Sequence, residues 1–271
     1  MESDGHMKIG FIGTGNMGEA IMRGALRGGV VPPANVLAFD IDAKKRSKLQ
    51  EELGIIGTDS LAALVNASDL LLLAVKPHIC PGVLSEIAPL MQDKGLISIA
   101  AGWSQARLSA CLPKSARLLR VMPNTPALVG CGMSVFEAGN TLLEEERGFA
   151  VRLFSVIGRV AEVEPRLMDA VTAVSGSGPA YVYLFLESLA DGGVREGLPR
   201  ALAYELAAQT VLGGAQMLLE TGEHPGKLKD NVCSPGGTTI EAVAALENGG
   251  FRAAVLSAVQ ACADKSRELS K

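Results

Sequence analysis

Three glycines in the run Gly13-Thr14-Gly15-Asn16-Met17-Gly18 have the spacing of a turn that holds a pyrophosphate. Gly13 permits the tight turn, Gly15 lets phosphate approach the backbone, and Gly18 lets the following helix pack close to its strand. The unpaired N–H groups and positive dipole end of that helix would hold the anion. An apolar run, Lys8–Ile12, comes before the turn and an alanine-rich segment after it, so the glycines have the strand and helix that a bare pattern lacks. Asp40 then closes the next apolar run, near the separation of about 20 residues at which a carboxylate takes a ribose hydroxyl. A carboxylate there repels a 2′-phosphate and favours NADH. Lys44, Lys45 and Arg46 follow at once, either to offset that repulsion or merely as a solvated helix face. The expected cofactor is NADPH or NADH.

Other chemistry-bearing residues sit where a parallel sheet would present its carboxyl ends. Lys76-Pro77 follows Leu70–Val75, Ala101-Gly102 follows Leu96–Ala100, and Pro123-Asn124-Thr125-Pro126 follows Arg117–Met122. Small residues and fixed proline turns suit a nicotinamide ring lying on backbone, and Lys76 reads either as part of that edge or as a surface charge. Farther on, two glycine- and hydroxyl-rich loops are expected: Ser175-Gly176-Ser177-Gly178-Pro179 and Asp230–Thr239. The second combines glycines with a helix start, which suits an anion. Thr238 or Thr239 could equally be a helix N-cap. The three histidines are poor candidates for a catalytic base, and no cluster has metal-ligand spacing. The reaction must therefore need little acid–base machinery.

The elements that must position these residues fall into two kinds. Short apolar runs (those above, with Val36–Phe39, Ile55–Gly57 and Gly132–Phe136) alternate with helical patterns such as Ala43–Leu53, Leu61–Asn66 and Val83–Met91. That alternation predicts an α/β domain with a mostly parallel sheet covered on both faces, Rossmann-type given the glycine turn. After Glu164-Pro165 long alanine- and leucine-rich helices take over: Tyr181–Val194, Pro199–Glu220, Thr238–Leu246 and Phe251–Leu269. The expected division is a tag remnant at 1–6 with Met7 as native start, a dinucleotide-binding domain at 7–165 and an all-α dimerisation and substrate domain at 166–271. Several of its helices are apolar around most of their circumference, which calls for a subunit interface or a central place in a compact bundle.

Composition narrows the class. Of 271 residues, 48% are hydrophobic and 20% charged, as in a globular protein with a real core. A net charge of −4 gives no basic footprint for nucleic acid, and no apolar run nears the length of about 20 residues that spans a membrane. The five cysteines are scattered and odd in number, which fits reduced thiols in a cytoplasm.

Gly10–Gly18, Ala74–Pro77, Arg120–Pro126, Ser175–Tyr181 and Asp230–Thr239, together with Ala242, Leu246 and Glu247, resemble pyrroline-5-carboxylate reductase, in the family's order from Met7 to the C-terminus. The run Ser234-Pro235-Gly236-Gly237-Thr238-Thr239 is similar to that family's signature. The resemblance implies reduction of L-1-pyrroline-5-carboxylate to L-proline, the last step of proline synthesis, in the cytoplasm. It implies a cofactor lined by Ile12, Gly13, Thr14, Gly15, Asn16, Met17, Asp40, Ala74, Val75, Lys76, Pro77, Ala100, Ala101 and Asn124. Asn231, Gly237, Thr238 and Thr239 would contact the substrate, with Gly237 lending backbone to its carboxylate and the Thr239 hydroxyl catalytic at the imine nitrogen. It further implies helical domains interlocked as dimers, often built into decamers, so that each site draws on two subunits. Asp40 departs from the small hydroxyl residue of members that favour NADPH.

Two rivals remain on sequence. A β-hydroxyacid dehydrogenase shares the glycine start but needs a proton-shuttling lysine on the first long helix, and no lysine occurs between Ser115 and Gly226. A dimeric cofactor sensor without catalysis would have no use for the paired ligand loops.

Overall fold

The structure is a computed structural model that describes residues 7–270, so the tag reading of 1–6 lies outside the described residues. Compactness divides the chain into two units: residues 7–176 together with 262–270, and Ser177–Ala261.

In the first unit the order is β1 (Ile9–Ile12), α1 (Asn16–Arg27), β2 (Val36–Phe39), α2 (Ala43–Leu53), β3 (Ile56–Gly57), α3 (Leu61–Ala67) and β4 (Leu70–Leu73). There follow α4 (Cys80–Ile87), β5 (Gly95–Ser98), α5 (Gln105–Ala110), β6 (Arg117–Met122), β7 (Gly132–Glu137), α6 (Glu144–Ser155), β8 (Gly158–Val163) and the short α7 (Met168–Val171). The strands form one sheet in the order β3-β2-β1-β4-β5-β6-β7-β8. All neighbours are parallel except β6 and β7.

Cover on both faces explains the apolar runs. In β4, Leu70 and Leu72 enter one core with Phe11, Ile97, Leu119 and Phe149, while Leu71 and Leu73 enter the other with Leu64, Leu84, Leu96 and Leu118. Each leucine so buried contributes about 1.5–3 kcal/mol.

The sequence reading ran β4 on to Val75 and β5 to Ala100; the strands stop earlier, which frees Ala74, Val75 and residues 99–102 for loops. It also passed over β8, an edge strand that among the described residues pairs with β7 alone, whose Arg159 is exposed and whose apolar signal is correspondingly weak.

The second unit contains α8 (Gly178–Arg195), α9 (Arg200–Thr221), α10 (Pro225–Val232), α11 (Thr238–Asn248) and most of α12 (Phe251–Leu269). Pro199 is the N-cap of α9 rather than its first residue, and Gly222 stops that helix at φ 65°. The expected loop at 175–179 is instead a π-type turn, Thr172–Gly176, running into α8, because proline is tolerated in a first helical turn.

Candidate active site

The glycine turn closes at a topological switch point. β1 has β2 on one side and β4 on the other, so a crevice opens beyond its carboxyl end. Gly13 donates its N–H to the Phe39 carbonyl (2.9 Å) and takes φ 91°. A side chain on Gly13 would lie 2.9 Å from Val75 Cγ1, and one on Gly18 would lie 2.6 Å from the Gly13 carbonyl oxygen. At Gly15, by contrast, a Cβ would meet nothing within 4 Å, and this residue is the N-cap of α1 with no side-chain hydrogen bond. The turn is packed tight beneath and open above, at a helix start that no side chain caps. Asn16 is exposed and Met17 half-buried in the first turn of α1.

Asp40 leaves β2 directly beside that turn. Its Oδ2 accepts from both the N–H and the hydroxyl of buried Thr14, each at 2.8 Å, and its Oδ1 accepts from the Asp42 N–H at 3.0 Å. Burial pushes the carboxyl up, but hydrogen bonds from Asp42 and Thr14, with the charge of Lys45, outweigh it and hold Asp40 below the usual carboxylate value. Asp42 in turn caps α2 through the Lys45 N–H, which fixes the link carrying Asp40. Arg46 donates to the Asp40 carbonyl (2.8 Å) and to Asp59 (2.9 Å), and Lys45 lies 3.7 Å from Glu19. Lys44 is exposed.

The neighbouring loops are tied together. The Ala74 N–H bonds the Ile12 carbonyl (2.9 Å), and the Trp103 indole N–H donates to the Pro77 carbonyl (3.0 Å). Ala100 accepts from the Trp103 N–H, Ala101 is exposed and Gly102 turns at φ 73°. The Arg107 guanidinium covers the Trp103 ring at 4.1 Å. Lys76 and His78 are both exposed on this rim. Beneath it the Cys80 thiol is pushed up to about 11 by burial. Asn124 is a tether: its Oδ1 accepts the Met133 N–H at 2.8 Å and its Nδ2 donates to the Ser175 carbonyl at 3.2 Å.

In the helical unit, the sequence-predicted loop at 230–239 is shorter than expected. Asp230 and Asn231 lie in the last turn of α10. Asn231 is exposed there, and His224 is the N-cap, accepting the Gly226 N–H at 3.1 Å. The connection to α11 is a β-turn with Pro235 second and Gly236 third at φ 65°, closed by the Gly237 N–H on the Ser234 carbonyl at 3.0 Å. Gly237 then caps α11 without any side-chain bond, so neither threonine is the N-cap. Thr238 is exposed and Thr239 half-buried at the first two helical positions. Because the Gly237 N–H closes the turn, the donors available to an anion are the first-turn N–H groups that follow it. A side chain on Gly237 would stand 2.3 Å from Ser234 Oγ and 3.1 Å from the Ser234 carbonyl oxygen, so the turn is tight at this position.

Residues 165–269 match the family model described as pyrroline-5-carboxylate reductase dimerisation, and 8–102 match one described as NADP oxidoreductase, coenzyme F420-dependent. A pyrroline-5-carboxylate reductase of Glycine max is 48% identical over 97% of this chain and 96% of the relative. The chain belongs to the pyrroline-5-carboxylate reductase family. The Escherichia coli K12 pyrroline-5-carboxylate reductase is 45% identical over 97% of this chain and 98% of its own length. The Plasmodium falciparum pyrroline carboxylate reductase, crystallised with NADP bound, superposes with a TM-score of 0.90 at 33% identity, covering 99% of this chain and 100% of that one. The Coxiella burnetii pyrroline-5-carboxylate reductase gives 0.91 at 33% identity, covering 98% and 99%.

Within this pyrroline-5-carboxylate reductase fold, Gly13, Thr14, Asp40, Ala74 and Val75 come together around one turn, while Asn231 and residues 237–239 gather at the α10–α11 connection. Sequence reading missed Arg46 as a partner of Asp40 and Trp103 as the strut between loops. The only hint of Trp103 was that the chain has one tryptophan and spends it beside Gly102.

Proposed function

We propose that this chain reduces the imine of L-1-pyrroline-5-carboxylate with NAD(P)H to give L-proline, the last step of proline biosynthesis. The observation that carries the reading is the start of α11, where an uncapped helix N-terminus and two threonine hydroxyls follow a turn shaped by Pro235, Gly236 and Gly237. Such an end suits the substrate carboxylate.

The glycine turn fits a dinucleotide: it is open above Gly15, closed beneath Gly13 and Gly18, and without a side-chain cap. Ile12, Gly13, Thr14, Gly15, Asn16, Met17 and Asp40 would hold the cofactor, with Ala74, Val75, Lys76, Pro77, Ala100, Ala101 and Asn124 along its rim. When bound, the reduced nicotinamide supplies the hydride. The chain's own task is to hold a protonated imine, already electrophilic, at reacting distance. Asn231, Gly237 and Thr238 would orient the substrate, and the Thr239 hydroxyl would hydrogen-bond the imine nitrogen. No strong base is required, consistent with His224 serving as a helix cap and His78 as an exposed rim residue.

The helical half carries a dimerisation domain and associates with itself; assembly of dimers into a decamer, a functional boundary near Pro165 and a cytoplasmic location belong to this proposal. Among the described residues no helix is long and apolar enough to cross a membrane. The deciding test is Thr239→Val. We expect kcat for pyrroline-5-carboxylate to fall about a hundredfold, with cofactor affinity unchanged. Undiminished turnover removes the hydroxyl from the mechanism.

A further inference from the structure

Asp40 and its neighbours carry an inference about cofactor choice that rests on the reductase reading. We propose that Asp40 makes this chain select the dinucleotide lacking a 2′-phosphate, NADH over NADPH, because its fixed carboxylate accepts a ribose hydroxyl and repels an anion.

The geometry fixes both the charge and its place. Three donors hold the carboxylate: the Thr14 N–H and hydroxyl on Oδ2 and the Asp42 N–H on Oδ1. A carboxylate offers about four lone-pair sites, so capacity remains for one hydroxyl donor. A 2′-hydroxyl brings that proton, whereas a 2′-phosphate at neutral pH brings mainly acceptor oxygens and further negative charge. Asp40 cannot simply swing aside, since doing so would strand the N–H and hydroxyl of buried Thr14. Nor is protonation an easy escape, because the same bonds keep the group ionised below the usual carboxylate range.

The basic residues that left the matter open on sequence are already engaged. Arg46, the cation nearest the Asp40 backbone, spends one guanidinium nitrogen on the Asp40 carbonyl and another on the Asp59 carboxylate, with its side chain only 16% exposed. Its guanidinium also lies 5.9 Å from the centre of the Phe39 ring. Lys45 pairs with Glu19 on α1. Lys44 is left exposed on the first turn of α2, where solvent screens it. Recruiting Arg46 to a phosphate would break two hydrogen bonds and leave Asp59 without it.

Calorimetric titration of the full chain with NADH and with NADPH tests this without reference to turnover. We expect NADH to bind at least about tenfold more tightly. Asp40→Asn, which keeps an oxygen for Thr14 but removes the charge and the acceptor of the Asp42 N–H, should shrink that ratio to within about threefold, with a melting temperature that shows the variant still folded. Equal or tighter binding of NADPH by the wild type overturns the proposal, as does an Asp40→Asn variant with the wild-type ratio. Selective NADH binding without reduction of pyrroline-5-carboxylate would uphold it while overturning the reductase reading; failure to bind either dinucleotide would overturn both.

Discussion

Cys80 shows how one position separates reactivity from residue type. It is buried at the start of α4, with its thiol pushed up to about 11 by desolvation, while Cys111 and Cys131 are exposed. A thiolate is the reactive form, so Cys80 should be inert in the folded chain near neutral pH. With a disulfide exchange reagent at about pH 8 we expect Cys111 and Cys131 to label promptly and Cys80 only after denaturation, read by mass spectrometry of peptides. Prompt labelling of Cys80 would contradict its burial. Residue roles were legible from sequence where backbone geometry dictates the residue, as at Gly13, which takes a positive φ. They were not legible where a residue's partner lies far along the chain. Nothing near Arg46 announces Asp59, and nothing near Asn124 announces that its amide spans Met133 and Ser175.

At the scale of elements, the antiparallel pair β6–β7 carries a buried ion pair. Val121 pairs with Phe136, so Arg120 and Glu137 stand opposite each other one step along, joined at 2.9 Å with side chains 5% and 4% exposed. Removing one partner leaves a buried charge without its counter-ion, which costs about 3–5 kcal/mol. We therefore expect Glu137→Leu to lower stability by about that amount in denaturant titration, and Arg120→Met with Glu137→Leu to recover much of it. If the double variant is as unstable as the sum of the singles, the pair is not the unit that matters. Nearby, Arg117 grips Glu146 with two bonds (2.9 and 2.7 Å) and the same carboxylate accepts the Leu143 N–H, docking the start of α6 on β6. Most elements could be read from the sequence because two-sided burial writes unbroken apolar runs. β8 and α10 could not, since an edge strand needs only half that signal and α10, beginning at Pro225, has no buried residue.

For the whole molecule, the telling contrast is between its two units. The sheet unit buries four phenylalanines completely, whereas the buried apolar residues of Ser177–Ala261 are Ala190, Ala203 and Ala207. On the same helices Leu184, Leu212 and Leu219 are more than half exposed, as is Leu256 on α12. Three alanines with partly buried Leu186, Val194 and Leu198 packed against them are a small core to set against the entropy of ordering this unit's backbone, so cover supplied by association should contribute much of its stability. We expect the melting temperature of the full chain to rise with protein concentration. Leu184→Asp should shift the chain towards monomer in sedimentation, with loss of helical signal. A monomeric variant with full helicity and unchanged stability would refute the coupling. The apolar circumference of these helices was legible in sequence, but not which of two covers it meant, because a central helix and an interface helix bury the same residue types.

The strut at Trp103 makes the first unit its own optical instrument. The chain has a single tryptophan. Its indole N–H is anchored on the Pro77 carbonyl and its ring lies under Arg107, between two of the loops at the carboxyl edge of the sheet. All indole emission from this protein therefore originates at one known point beside the proposed nicotinamide rim. Reduced nicotinamide absorbs in the band where indole emits, so quenching would report occupancy of that rim from the native chain, without a label and without waiting for turnover.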